Sequence, residues 1–261
     1  MLIIRKKQLE KLSEYELDQY KVRLKMHLKE FFPLQTSLAS DDVVNSFIEL
    51  GLEQAQSFGF ETEVTAQSFI DHTLLLGSDF CQNPLFTKIS SSLFDTEIEN
   101  LIQRHDILYD RAWQYLDETR GPDAAHLLRA AAKLKKSLTE LIKTAANDLH
   151  GHVEALKIVY PEKYVAHSEE TIKLFCIEGL RRAQSDNFEQ ASAQRLYVII
   201  AFLTGIGFYE DPLVIGIVPE QVKALLEETD PSNRTRLLTD AAGIYLDSLF
   251  EAVHLTTTTN R

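Results

Sequence analysis

Histidines and carboxylates alternate in the stretch "DLHGHVE", residues 148–154. Two imidazoles and two carboxylates are a ligand set for a divalent metal ion, so a metal-dependent hydrolase centred on His150 and His152 is one hypothesis. Residues two apart on a helix point to different sides, and a metal site here would therefore require a loop. A solvated junction between two helices explains the same stretch.

Other motifs that carry chemistry do not occur in the sequence. It holds no Ser-His-Asp order, nucleophile elbow, glycine-rich phosphate loop or paired-cysteine metal motif. His72, in the apolar stretch "FIDHTLLLG", is expected to be a hydrogen-bonded core histidine or a helix-surface one. Cys81 and Cys176 are far apart and are expected to be reduced, mostly buried thiols. The sequence therefore predicts a protein that is not an enzyme and needs no metal or cofactor.

Acidic residues of the first half follow a helical spacing. Asp42, Asn45, Glu49 and Glu53 recur at intervals of 3, 4 and 4, which places them on one face of a helix. Drift of a solvated face explains the stripe, and so does selection for a partner. On the second explanation the partner-binding residues are Asp42, Asn45, Glu49, Glu53, Glu61 and Glu63.

The charge of the chain is unevenly distributed. Its net charge is −12, yet residues 1–30 carry eight basic groups against five acidic ones, while residues 31–100 carry eleven acids and a single lysine, Lys88. Such a field disfavours nucleic acid and anionic membranes and favours a basic protein partner. The charged start resembles no export signal, and no apolar stretch approaches the roughly 18 residues of a membrane span. We therefore expect a cytoplasmic protein.

The sequence contains an internal repeat. The stretch "FIELGLEQAQSFGFE", residues 47–61, returns as "FCIEGLRRAQSDNFE", residues 175–189, and residues 33–85 align with 161–213 without a gap. Fifteen of those 53 positions are identical, including Gly51 with Gly179 and Gly77 with Gly205. A repeat this long indicates two related domains rather than a solenoid of short units.

Both copies show the apolar spacing of helices. Ser40 and Ser168 precede acidic residues as helix N-caps do, and Gly51 and Gly179 in the helices that follow predict a close helix crossing. Helical spacing also covers residues 5–31, 95–119, 122–149, 212–228 and 233–254. The predicted fold is all-α, with two pseudo-symmetric helical domains. Their predicted bounds are 1–121 and 151–261, joined by a linking helix over 122–150.

The first copy resembles a group of small bacterial helical proteins encoded beside type VI secretion spike and effector genes. The resemblance rests on "MLIIRKKQLEKL", "HLKEFFP" and "GLEQAQSFGFETEVTAQSFIDHTLLLGSDFCQNP", and it covers residues 1–86. The second copy departs from the pattern, with Asn187 at the position of Gly59 and Gly207 at that of Asp79. The group has no established enzymatic activity, so the resemblance implies binding of an effector or spike component.

These observations predict a non-enzymatic protein-binding module. The expected role is that of an immunity protein or an effector-loading adaptor of a type VI secretion locus, with a basic effector toxin or spike component as the partner. Nucleic acid and membranes are not expected as partners. Two alternatives remain open: a self-associating helical scaffold, such as a homodimer, and the metal-dependent hydrolase.

Overall fold

A computed structural model of the chain describes the backbone of residues 6–143 and 148–259, and the side chains of residues 14–140 and 148–255. The protein is 82% helical, and the described residues contain no strand. The predicted all-α class is confirmed. No helix within the described ranges is long and apolar enough to cross a membrane.

Fourteen α-helices and three short 3₁₀ helices make up the described chain. The α-helices are α1 (Lys6–Phe31), α2 (Pro33–Thr36), α3 (Asp41–Ser57), α4 (Glu63–Leu76), α5 (Thr87–Phe94), α6 (Leu101–Arg120), α7 (Ala125–Lys143), α8 (Leu149–Val159), α9 (Pro161–Val165), α10 (Glu169–Ser185), α11 (Ala191–Thr204), α12 (Pro212–Ile217), α13 (Pro219–Glu227) and α14 (Pro231–Thr259). The 3₁₀ helices are Phe80–Gln82, Pro84–Phe86 and Pro122–Ala124.

The predicted and observed helices differ mainly in where they begin and end, at residues such as asparagine and proline that start a new helix. The helix expected over 95–119 begins only at Leu101, where the Asn100 side chain accepts from two backbone N–H groups. The segment 212–228 is two helices, since Pro219 opens α13. Within the segment 122–150, predicted as a linking helix, α7 covers Ala125–Lys143 after the 3₁₀ turn Pro122–Ala124, and α8 begins at Leu149; residues 144–147 lie outside the described residues.

Helices α3 and α10 occupy matching positions in the sequence and bury matching faces. Ser40 and Ser168 cap their first turns through side-chain oxygens, as expected. A Cβ added at Gly51 would lie 2.7 Å from Ile70 of α4, and one added at Gly179 would lie 3.1 Å from Val198 of α11. Both glycines therefore permit a close helix crossing, which confirms that prediction.

Asn187 and Gly59 share a left-handed backbone. Their φ angles are 61° and 79°, a region that asparagine tolerates better than most residues. Because asparagine adopts this backbone, its presence at the glycine position keeps the turn after α10.

The two halves of the chain meet at a glycine pair. A Cβ added at Gly77 would lie 2.7 Å from the Cα of Gly205, and the reverse distance is also 2.7 Å. The hydroxyl of Ser78 donates to the carbonyl of Gly207, and one hydrophobic cluster runs from Tyr20 to Leu249. Contact between the halves is thus made by backbone as well as by apolar side chains.

An ion pair also joins the halves. Arg182 of α10 donates to Asp79 at 2.6 Å and to Glu178 at 3.0 Å, and both members of the Arg182–Asp79 pair are largely shielded from solvent. In the alignment of the two copies, each charged position of the pair has an uncharged counterpart in the other copy: Arg182 of the second copy corresponds to Gln54, and Asp79 of the first copy corresponds to Gly207.

Asp79→Ala should lower the free energy of unfolding by about 2 kcal/mol, because it leaves part of the shielded Arg182 guanidinium unpaired. Urea unfolding measures the loss. Asp240→Ala is the matched control, since it removes only the exposed pair with Arg236 and should cost under about 0.5 kcal/mol. Equal losses in the two variants would contradict a special role for the Arg182–Asp79 pair.

Candidate protein-binding groove

The acidic stripe of α3 lies beside the basic helix α1, which packs against both α3 and α4. α3 buries Val44, Phe47 and Ile48 on its inner face. Its polar face therefore turns towards α1 and solvent, with Glu49 and Glu53 exposed. The amphipathic spacing of α3 thus fixes which acids stand at the surface.

A groove of about 610 Å³ runs between α1, α3 and the start of α4. Its walls combine carboxylates with apolar surface: Leu17, Tyr20, Lys21, Glu49, Leu52, Glu53, Gln56, Phe60, Glu61, Glu63 and Ala66. Leu17 is 47% exposed, whereas Phe60 is buried and closes the floor. The groove therefore offers both negative charge and apolar contact area.

Four of the six predicted binding residues line this groove: Glu49, Glu53, Glu61 and Glu63. Asp42 and Asn45, near the start of α3, are not among its lining residues; Asp42 is exposed and Asn45 is half-buried. The structure thus brings α3 acids together with acids that follow α3, and leaves the first two members of the stripe apart.

Ion pairs with α1 neutralise part of the acidic surface. Lys21 lies 2.9 Å from Glu49, and Arg23 lies 2.6 Å from Glu63. Lys25 and Lys29 both pair with Asp41, and they hold the pKa of its exposed carboxyl below the usual value. Sequence reasoning missed these pairs, although the positive charge of residues 1–30 was a signal for them.

Two acids of the groove, Glu53 and Glu61, have no ion pair among the described side chains. Both are exposed. Together they place negative charge next to the exposed apolar surface of Leu17 and the half-buried side chain of Leu52. This combination suits a ligand that carries a cation and an apolar side chain close together.

Two contacts fix α1 as a wall of the groove. The Tyr20 hydroxyl donates to the backbone carbonyl of Glu63 at 2.6 Å, and burial, with Glu63 adding to it, raises the tyrosine pKa. His27 of α1 lies 3.0 Å from both carboxylate oxygens of Asp71 in α4. Burial raises the pKa of Asp71 to about 6, although His27 opposes the shift. Both contacts were absent from the sequence-based expectations.

The "DLHGHVE" stretch forms the N-cap and the first turns of α8 rather than a loop. Asp148 caps α8, whose first turn exposes His150 and whose next residues bury His152. The two imidazoles therefore point to different sides, which is the arrangement that does not suit a shared metal. Within the described residues, no group of three or more His, Cys, Asp or Glu side chains could hold a metal ion.

His72 is buried, but it is not satisfied as expected. Neither ring nitrogen has a hydrogen-bond partner among the described residues, and the ring lies edge-on to Tyr109. Burial lowers the pKa of His72 to about 4. The charge of His105 adds to this lowering, and the nearby Ser68 backbone opposes it. Cys81 is half-buried and Cys176 is buried, and both thiols are free.

Comparisons with known proteins add no relative to this picture: no family model, curated protein or solved structure matches the chain.

Proposed function

We propose that the chain is a protein-binding module whose groove between α1, α3 and α4 takes a basic, partly apolar segment of another protein. One observation carries the proposal: Glu53 and Glu61 line the same groove as the apolar side chains of Leu17 and Leu52. Neither glutamate forms an ion pair with a described side chain. Opposite charge steers the encounter, and burial of the apolar side chains then holds the complex.

The resemblance of residues 1–86 supports a finer assignment within this proposal. According to this resemblance, the module acts in the cytoplasm as an immunity protein or an effector-loading adaptor of a type VI secretion locus. Both roles require the same complementary surface, and the identity of the bound partner separates them: a toxin domain indicates immunity, and a spike component with its cargo indicates loading.

A duplicated origin also belongs to the proposal. It is supported by the equal lengths of α3 and α10 (17 residues each), by those of α4 and α11 (14 residues each), and by the ungapped alignment of the two copies. In such a scaffold the second copy has Arg181 where the first has Glu53. The second copy keeps an acid, Glu189, at the position of Glu61, so the combination of two acids at these positions is a property of the first copy.

Reversing Glu53 and Glu61 to lysine together should slow association with the partner at least tenfold at low salt, because it removes the steering charge. The measurement is the amount of partner that the tagged wild type and variant retain at low ionic strength, followed by association rates for the purified pair. The matched control reverses two exposed acids elsewhere, Glu227 and Glu251.

The control should bind as the wild type does, and high salt should weaken the wild type towards the double variant. An association rate unchanged by Glu53→Lys and Glu61→Lys would remove this groove from the proposed function. Loss of binding in the control alone would move the binding surface to α13 and α14.

A further inference from the structure

A second cavity lies between helices of the two halves of the chain, away from the acidic groove. It has a volume of about 70 Å³, enough for a small ligand or a few water molecules. Residues from both halves of the chain line it, among them Gln35 of α2, Tyr115 and Arg120 of α6, Lys163 of α9 and Tyr245 of α14. The cavity therefore exists only where the two halves come together.

Two cations face this cavity. Lys163 is only 7% exposed, and its Nζ donates to the carbonyl of Phe202 at 2.6 Å. The same ammonium lies 5.1 Å from the ring centre of Phe202 and 5.6 Å from that of Phe86. One carbonyl uses one of its three donors, which leaves two. Burial, and then the charge of Arg120, lower the Lys163 pKa to about 7.

Arg120 is the second cation, and it ends helix α6. Arg120 is half-buried, and no hydrogen bond or ion pair joins its guanidinium to a described residue. Burial lowers its pKa, and the nearby Tyr160 and Tyr245 oppose that shift. Its five N–H donors therefore have no acceptor among the residues that the structure describes.

Among the described lining residues, no carboxylate balances these charges. The acid next to Lys163 in sequence, Glu162, does not line the cavity and pairs with Arg129 at 2.8 Å. The C-terminal ends of α6 and α11 supply partial negative charge, which offsets only part of the cost of burying two cations. Gln35 and Tyr245 can donate hydrogen bonds at the cavity as well, whereas the Thr204 hydroxyl already donates to the carbonyl of Ile200.

We propose that this cavity between the halves is a binding site for a small carboxylate, which Arg120 and Lys163 hold as counter-ions. A carboxylate accepts from a guanidinium in two parallel bonds and from an ammonium in a third. Leucines make up most of the remaining wall, so a short apolar substituent on the carboxylate finds contact area. The small volume excludes larger ligands such as nucleotides, and the positive charge disfavours metal cations.

The charge of the site is not repeated between the two halves. In the alignment of the copies the counterpart of Lys163 is Gln35, which lines the same cavity without a charge. Tyr115 and Tyr245, by contrast, face it from both halves. A single bound anion, rather than two related ones, therefore fits the arrangement.

Thermal unfolding of the full chain in sodium butyrate, sodium acetate, sodium phosphate and sodium chloride at equal ionic strength tests the proposal. We expect a saturable rise in Tm of about 3 °C for butyrate at ten times its dissociation constant, a weaker one for acetate, and none beyond chloride for phosphate. Saturation-transfer NMR should show butyrate binding to the folded protein.

Lys163→Met and Arg120→Met should abolish the butyrate response. Lys163→Met should fold, because replacing a buried ion by an apolar side chain of similar size is often neutral or stabilising. Lys223→Met, which removes an exposed lysine of α13, should leave the response intact.

An equal Tm in butyrate and chloride would overturn the proposal, as would a butyrate response that persists in Lys163→Met. A response to phosphate without one to the carboxylates would overturn the choice of a carboxylate. If Arg120→Met does not fold, the wild-type saturation curve and Lys163→Met decide the outcome.

Discussion

Gly77→Ala should destabilise the protein by about 3 kcal/mol or more, because its backbone and its surroundings both exclude a side chain. Gly77 has a φ of 102°, a backbone region in which an L-residue is strained. The added Cβ would also lie 2.7 Å from the Cα of Gly205 and 2.9 Å from the carbonyl oxygen of Thr204. Both neighbours are backbone atoms, so no side-chain rotation relieves the overlap, and the two halves must move apart.

Urea unfolding measures this loss, and Gly243→Ala provides the control. Gly243 lies within α14, and no atom approaches a Cβ added there within 4 Å. Alanine should therefore stabilise α14 by up to about 1 kcal/mol, because it is the better helix former. If the free energy of unfolding of Gly77→Ala stays close to that of the wild type, the close contact between the halves does not determine stability.

His72→Ile should stabilise the protein and remove much of its sensitivity to acid. Isoleucine occupies the matching position of the second copy, Ile200, which is also buried. The substitution removes two ring nitrogens that lack hydrogen-bond partners among the described residues. Removing this desolvation cost should raise the free energy of unfolding at neutral pH by roughly 1–3 kcal/mol.

The pH dependence follows from the lowered pKa of His72. An unfolded histidine binds its proton near pH 6.5, whereas burial lowers the folded pKa to about 4. Between these values the unfolded state binds more protons, so the free energy of unfolding falls as the pH falls. This difference in pKa between the unfolded and folded states lowers the free energy of unfolding by about 3 kcal/mol between pH 6.5 and 4. The variant lacks the histidine, so its free energy of unfolding should not fall by this amount.

Urea unfolding at intervals from pH 7 to 4 measures the difference between the variant and the wild type. Subtraction isolates His72 from the other groups that titrate in this range, such as Asp71, His152 and His167. His150→Gln, an exposed histidine of α8, should follow the wild-type curve. Parallel curves for His72→Ile and the wild type would show that His72 does not contribute to the acid sensitivity.

Local sequence signals predicted most of the helices correctly. The capping serines Ser40 and Ser168, and the glycines Gly51 and Gly179, act within one helix or between two consecutive ones, so their effect can be inferred from spacing alone. The histidine-rich stretch carries a local signal of the same kind, because Asp148 is an N-cap and residues 149–154 that follow it are helical rather than a loop.

The candidate site depended on contacts that spacing does not encode. The stripe of α3 was visible, but its neutralisation by Lys21 and Arg23 joins residues 28 and 40 positions apart. The Arg182–Asp79 pair spans 103 positions. The two cations at the cavity between the halves, Arg120 and Lys163, come from different halves of the chain. Such features follow from how the helices pack, and no periodicity in one helix specifies them.

Hydrogen exchange of the chain, alone and in complex with the partner that it retains at low salt, tests the central claim most directly. We expect slower exchange on binding in α1 around Tyr20, in the second half of α3 and in the first turn of α4. The same experiment at high salt should lose that protection as the partner dissociates. Protection confined to α13 and α14, with the groove unchanged, would contradict the account.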